Sequence, residues 1–427
     1  MSSRRSKGGL LARVNFPLYT VQMITNRHIL VGGGGGSSKT GVANGFEIFE
    51  LSHNGTHFVA EEVTRHETGP SVVMNCASHR SGNKTWIVAG QESHCQLYNS
   101  KLITENGELI KGPVTYNLRH RKNNEKVEES QSQQERIEEI KDNNFNIKSK
   151  KLQLVLEPAD SIQTTFGDGE PLQRVVRVST HGNIMATGGT DGKVRLWKFP
   201  QLEKLYDFDG HGKEIDDIDF NPNGNLLVSI AKDGKAFVWN IKDKKSTELC
   251  WKPPDGIKYM YKRCRFRKLT EDEEKNDLFI LTNAVTAKNA SFLQLWDSNT
   301  GVITKSAPYK EALSALAVSN DGKFVAVGTM FSGSVDIFVA FSLRKALHVP
   351  GAHSMFVTGL EFLPTNDQLN GVAITSNTET AVVSISVDNR ICIHSIPFRH
   401  TLPFWFVIML IVLCICGAFI FCSYLGI

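Results

Sequence analysis

Met185-Ala186-Thr187-Gly188-Gly189-Thr190-Asp191-Gly192-Lys193-Val194-Arg195-Leu196-Trp197-Lys198-Phe199 is the stretch that decides the fold. It reads as an apolar strand, an Asp-Gly hairpin turn, and an alternating strand that carries a tryptophan near its end. The same pattern returns in LLVSIAKDGKAFVWNI, residues 226–241, with Asp233-Gly234 and Trp239. Trp197 and Trp239 are 42 residues apart, within the roughly 40–45-residue period of WD-type propeller blades. IDDIDFNPNGN, residues 215–225, supplies a further strand and turn, and Gly210-His211 is the dipeptide that opens such repeats.

Weaker copies extend in both directions. LFILTNAVTAKNASFLQLWD, residues 278–297, ends on Trp296-Asp297, and the copy over 313–339 puts Phe338 in the tryptophan slot, again 42 residues on. VTGLEFLP and AVVSISVDNRICIHSI form a copy reaching Ile396. Upstream, residues 85–99 and 28–51 complete seven. Their alternation places apolar side chains between packed sheets. The expectation is an all-β, seven-bladed WD-type β-propeller over residues 1–398, with the segment from Val14 to Tyr19 helping to close the ring. Six or eight blades stay open as alternatives, because the first two copies and the last are weak.

Composition agrees with a folded domain. The chain has 427 residues, 41% hydrophobic and 22% charged, which rules out wholesale disorder. With 48 basic and 44 acidic residues the net charge is +4, too small for a uniformly basic nucleic-acid coat. Eight cysteines without a CxxC pair, and no HExxH, give no support to a disulfide scaffold or a common zinc site. Cys76 and Cys95 read as buried reduced thiols. Residues 119–151 are dense in charge, Gln and Asn, and read as a mobile insertion. A shorter polar insert covers 270–277.

Residues 402–427 contain no charged side chain. About 20 helical residues cross a bilayer of about 30 Å, so this segment is expected to be a transmembrane anchor. Arg390, Arg399 and His400 precede it and no Lys or Arg follows. The propeller is therefore expected in the cytosol and the C-terminus on the lumenal side. The sequons at Asn54, Asn83 and Asn289 should then carry no glycan.

The segment with chemistry in it is Gly32-Gly33-Gly34-Gly35-Gly36-Ser37-Ser38-Lys39-Thr40-Gly41-Val42-Ala43-Asn44. A hairpin turn ordinarily needs about two to five residues, whereas about thirteen are spent here between two strands. Long polar connections on rigid scaffolds tend to carry function. The run nearly matches a phosphate-binding loop, but Ser38 replaces its second glycine. Gly41, Asn44 and Gly45 then lead into an alternating strand, where that loop must open a helix. Nucleotide hydrolysis is set aside on that ground. Glycine backbone can approach a partner closely or wrap a monovalent cation with carbonyls.

A propeller opened by GGGG…KTGxxN, with an apolar segment at the extreme C-terminus, resembles the prolactin regulatory element-binding protein family. The resemblance implies a guanine nucleotide exchange factor of the endoplasmic reticulum membrane. Such a factor catalyses GDP release from a Sar-type small GTPase and so starts coat protein complex II vesicle formation. It further implies a loop, framed by Gly32, Gly33, Gly34, Gly35, Gly36, Ser37, Ser38, Lys39, Thr40 and Gly41, that binds the GTPase and a potassium ion. By motif position the resemblance implies that Asn44 is the residue critical for exchange. The implied mechanism is non-covalent and uses no organic cofactor.

Two other readings share the fold. Lys258-Tyr259-Met260-Tyr261-Lys262-Arg263-Cys264-Arg265-Phe266-Arg267-Lys268 interleaves aromatic and basic residues, as a DNA-binding regulator's stacking surface could. Strand alternation, with one face packed in a blade, accounts for it equally well. A non-catalytic WD-repeat scaffold is the other. His211 and Asp219 are expected to be hydrogen-bonding groups within the blades.

Overall fold

The structure is a computed structural model that describes residues 9–37, 41–82, 84–104, 152–167, 169–253, 256–268, 276–286, 288–364, 374, 378–398 and 404–426. The insertion at 119–151 lies outside the described residues, as does most of the insert at 270–277.

Seven antiparallel sheets of four strands each follow one another along the chain, so the seven-bladed expectation holds. The innermost strands of blades one to seven are Leu18–Met23, Val73–Ser81, Gln173–Val178, Ile215–Phe220, Tyr259–Phe266, Leu313–Val318 and Val357–Phe362. Alternation drives the packing. Ile215, Ile218 and Phe220 are buried along one such strand, and the layers between blades are filled by clusters such as Val175, Ala186, Leu196, Ile218 and Trp239. Among the described residues, every core cluster falls between Val14 and Ile396, so the propeller is self-contained.

The deciding stretch folds as read. Ile184–Gly189 and Val194–Lys198 pair with Met185 opposite Trp197. Gly192 takes φ +75° in the turn, and Asp191 Oδ1 accepts the Lys193 N–H at 3.2 Å. Trp197 Nε1 donates to Thr187 Oγ1 at 2.9 Å, and Trp239 Nε1 donates to Ser229 Oγ at 2.8 Å. His211 bridges Ser229 and Asp233, and His353 bridges Ser384 and Asp388. The blade-internal role expected of His211 is therefore observed.

Ring closure differs from expectation. The strand that completes blade seven is Gly9–Arg13, paired antiparallel with Arg390–Pro397. The segment from Val14 to Tyr19 only bridges blades: Leu18 already begins the innermost strand of blade one. Phe16 and Leu18 are buried in the joint between blades seven and one, which explains why that segment reads as closing the ring.

A helix spans Phe404–Leu425, 22 residues with no acidic residue in its first turn and no basic residue in its last. Among the described residues no helix is long and apolar enough to cross a membrane; the longest run of described side chains in this one, 408–419, is exposed throughout. The segment expected as an anchor forms a helix, two residues shorter at each end than the uncharged segment, but the structure gives no support to the expectation that it spans a membrane.

Strand direction sorts the connections into two sets. Links from second to third strands, and from each blade to the next, lie at one end of the propeller. The third strand of blade seven, Arg390–Pro397, finishes at the other end, so the chain leaves toward the helix there.

Candidate functional site

The glycine run divides between strand and connection. Gly32 and Gly33 are the last residues of the strand His28–Gly33 and pair with Phe46 and Gly45. Both are glycine for packing. A Cβ on Gly33 would strike the Pro17 carbonyl, and one on Gly32 would press on Thr20, Phe46 and Val73. Only from Gly34 onward does the chain leave the sheet, shortening the connection to 34–44. Ser38, Lys39 and Thr40 lie outside the described residues. The next strand is Gly45–His53; a phosphate-binding loop would open a helix there.

Asn44 organises what surrounds it. The side chain is 5% exposed. Its Oδ1 accepts the Gly36 N–H at 2.9 Å, while Nδ2 donates to the carbonyls of Gly36 (3.2 Å), Gly69 (3.0 Å) and Pro70 (3.1 Å). Its own backbone carbonyl accepts the Thr68 N–H at 3.0 Å. Gly34, at φ +143°, lies so close that a Cβ there would strike Asn44 Oδ1, and the Gly34 N–H donates to Pro17 O at 3.1 Å. Gly36 and Gly41 hold φ of +83° and +76° with open space where a Cβ would stand, so glycine is needed there for backbone conformation. Gly35 and Ser37 complete the described part of the loop, and Val42 packs on the core between blades seven and one. Asn44 is committed to the loop, with its amide turned onto Gly36, Gly69 and Pro70.

Three backbone carbonyls converge at Asn44 Nδ2. Among the described residues no group of three or more His, Cys, Asp or Glu side chains gathers to hold a metal. Carbonyl oxygens without thiolate or imidazole are a donor set for hard cations, and each retains a second lone pair. The Asn44 amide fills the focus of the three carbonyls, so a hard cation bound here would use their second lone pairs.

The connection 68–72, between blades one and two, touches this loop from the inner side. Thr68 Oγ1 donates to Ser71 O at 2.8 Å. Val72 then lines a cavity of about 400 Å³ at the mouth of the central channel. The channel is polar. Asp217 accepts the Cys264 N–H at 3.2 Å and pairs with Arg265 at 2.6 Å and Arg177 at 3.5 Å; Asp219 accepts the Phe266 N–H at 2.8 Å. Asp219 thus joins blades four and five.

These contacts also place the basic-aromatic stretch. Tyr259–Phe266 is an innermost strand with Tyr261, Cys264 and Phe266 buried in a blade. Lys262 meets Asp216 at 3.5 Å, and Arg265 is held by Asp217. No exposed stacking face results, and the blade-packing explanation is the one observed. Cys76 and Cys95 are buried free thiols whose pKa values burial pushes up to about 12, so they are unreactive.

The fold and its repeats define a WD-repeat propeller: residues 162–198 and 202–240 match the WD domain, G-beta repeat family. The relatives narrow this. The chain is 33% identical to the mouse guanine nucleotide-exchange factor SEC12 over 422 residues, covering 96% of this chain and 95% of the relative. It is 32% identical to the rat protein over the same shares of both chains. A more distant likeness, 27% over 49% of this chain and 51% of the relative, is to SEC12-like protein 2 of Arabidopsis thaliana. The chain belongs to the SEC12 family.

Proposed function

We propose that this protein is a guanine nucleotide exchange factor that accelerates GDP release from a Sar-type small GTPase at the endoplasmic reticulum membrane, the step that starts coat protein complex II assembly. The observation that carries the reading is full-length kinship with exchange factors, joined to a Gly-rich connection held in shape by one buried asparagine.

The chemistry is binding. A GTPase that holds its nucleotide at nM affinity does so with about 12 kcal/mol. A factor that prefers the nucleotide-free state lowers the release barrier without shifting the overall equilibrium. A thousandfold acceleration needs about 4 kcal/mol of that preference. The propeller supplies a rigid platform and the connection 34–44 the probing element. Asn44 acts as a positioning residue: it fixes Gly36 against Gly69 and Pro70 so that the loop meets its partner already ordered. The carbonyls of Gly36, Gly69 and Pro70 would hold a potassium ion, which would supply fixed positive charge to tighten the loop.

The terminal helix is the proposed anchor. Its 22 residues reach about 33 Å at about 1.5 Å per residue, and residues 402–427 carry no charge. The chain leaves the propeller for this helix at the end opposite the Gly-rich connection, so the partner is engaged on the face turned away from the exit. The propeller is then cytosolic and the C-terminus lumenal.

The test is release of a fluorescent GDP analogue from the purified GTPase. Wild-type protein is expected to accelerate it, and no acceleration would remove the proposal. Retention of the full chain in membranes after alkaline extraction, lost on deleting 404–426, is the expected result for the anchor. Solubility of the full chain would exclude the anchor.

A further inference from the structure

The propeller exposes large apolar side chains unevenly. Met74 (41% exposed), Leu172 (36%), Phe331 (69%), Met355 (49%) and Phe356 (37%) all stand at the end that carries the Gly-rich connection. Three of them, Met74, Leu172 and Phe356, join Val72 and Met330 in lining the cavity of about 400 Å³ at the channel mouth. Contiguous exposed apolar surface rimmed by polar groups marks an interaction site in a soluble domain.

The cavity is joined to the loop by short backbone links. Asn44 holds the carbonyls of Gly69 and Pro70, and two residues later Val72 lines the cavity wall. One connection, 68–72, therefore borders both features. The polar part of the cavity is also uneven. Arg174 pairs with Glu214 at 3.7 Å and Lys262 with Asp216 at 3.5 Å. Arg263 donates from Nη1 to the Lys262 carbonyl at 2.9 Å, and among the described residues no carboxylate lies in ion-pair range of its guanidinium.

We propose that this cavity is the second half of the exchange surface: it receives a bulky apolar side chain of the bound GTPase, with an acidic group beside it that meets Arg263. The inference rests on the exchange reading. A desolvated apolar anchor in a pocket, surrounded by a polar rim, is where binding energy concentrates. Arg263 acts on Asp217 at longer range but has no carboxylate in ion-pair distance among the described residues, and this sets the charge the partner must bring. Continuity through 68–72 lets the anchor fix the partner's position while the Gly-rich connection acts on it.

The experiment measures binding of nucleotide-free Sar-type GTPase, and its nucleotide release, with the self-contained propeller 1–398. Leu172→Asp and Phe356→Asp are compared with Phe341→Asp, which alters an exposed side chain at the opposite end, and with Asn44→Ala. Unchanged melting temperature certifies folding, and either cavity variant suffices if the other misfolds. The expected result is an affinity loss of about tenfold or more for the cavity variants and none for Phe341→Asp. Arg263→Gln should weaken binding and flatten its salt dependence. If the cavity variants bind and exchange like wild type while Asn44→Ala is impaired, the inference fails and the loop reading stands. If wild type neither binds nor exchanges, the exchange reading itself fails. A self-associating propeller that Phe356→Asp makes monomeric would assign the cavity to a second copy of this chain and overturn the inference.

Discussion

Asn44 and Gly36 clasp each other through two hydrogen bonds: the Gly36 N–H donates to Asn44 Oδ1 at 2.9 Å and Asn44 Nδ2 donates to the Gly36 carbonyl at 3.2 Å. The same Nδ2 also reaches Gly69 and Pro70, so one amide ties the connection inside blade one to the connection that leads on to blade two.

Replacing Asn44 by alanine leaves these buried groups without partners and should cost about 1–3 kcal/mol of stability. Exchange should fall further than stability does, because the loop loses its fixed shape while the blades keep theirs. Asn44→Asp should be no better, since a carboxylate cannot donate to three carbonyls. Urea melts set beside GDP-release rates check this; equal exchange by wild type and Asn44→Ala would remove the residue from the mechanism.

Gly34 and Gly36 are unequal. Alanine at Gly34 collides with Asn44 Oδ1 and must expel the amide, whereas alanine at Gly36 meets open space and pays only for φ +83°, about 1–2 kcal/mol. Gly34→Ala should therefore impair exchange severely and Gly36→Ala partially. The reverse order would show that the clasp is not what shapes the loop.

Acid should destabilise the propeller. Burial lowers His28 to about 4 and His394 to about 3, from 6.5. Below pH 6.5 the unfolded chain therefore binds two protons that the folded chain refuses. Burial raises Glu361 from 4.5 to about 7, so above pH 4.5 the folded chain keeps one proton that the unfolded chain releases. These three groups together leave about one more proton on the unfolded side and contribute a fall in stability on acidification of about 1.4 kcal/mol per pH unit between about pH 5 and 6; burial also lowers His66, His79, His211 and His353, which act in the same direction. Glu361→Gln removes one opposing contribution and should steepen the slope by about 1.4 kcal/mol per pH unit. Denaturant titrations of the 1–398 fragment across this range measure it; a shallower slope in the variant would contradict the assignment.

Removing residues 1–13 takes away the strand that pairs Gly9 with Ile393 and Arg13 with Arg390. Loss of about four ladder bonds, at about 0.5–1.5 kcal/mol each, should destabilise the propeller by roughly 2–6 kcal/mol and expose Arg390–Pro397 as an unpaired edge prone to association. Melting temperature and light scattering report both effects. A truncated propeller that melts like the whole would mean that closure depends on other contacts.

Much of this was legible in the residues. Trp197, Trp239, Trp296 and Phe338 mark third strands as their spacing implies, because a period of about 42 residues records one blade's worth of alternating burial. Asn44 and the glycines were legible as an unusual connection, and family resemblance gave them a role. Their division into strand glycines and loop glycines was not legible, since Gly32 and Gly33 are fixed by contacts with Pro17, Thr20 and Val73, which no local pattern encodes. The cavity was missed for a similar reason. Leu172 and Phe356 sit in separate repeats and meet only when the ring closes; the available signal was a large apolar residue in a blade-to-blade connection where polar ones are usual.

By itself the sequence determined the propeller class, the third strands marked by Trp197, Trp239, Trp296 and Phe338, the hairpin turns and the uncharged terminal segment, which follow from composition and from periodicities within about 40 residues; the count of seven blades was settled by the closed ring. Tertiary structure alone decided that Gly9–Arg13 closes the ring, that the Asn44 amide turns inward onto Gly36, Gly69 and Pro70, and that the loop and the channel mouth share one border. Those outcomes depend on which blade becomes whose neighbour once the ends meet, and on which buried donors and acceptors then find partners. Such a constraint exists only in the closed ring.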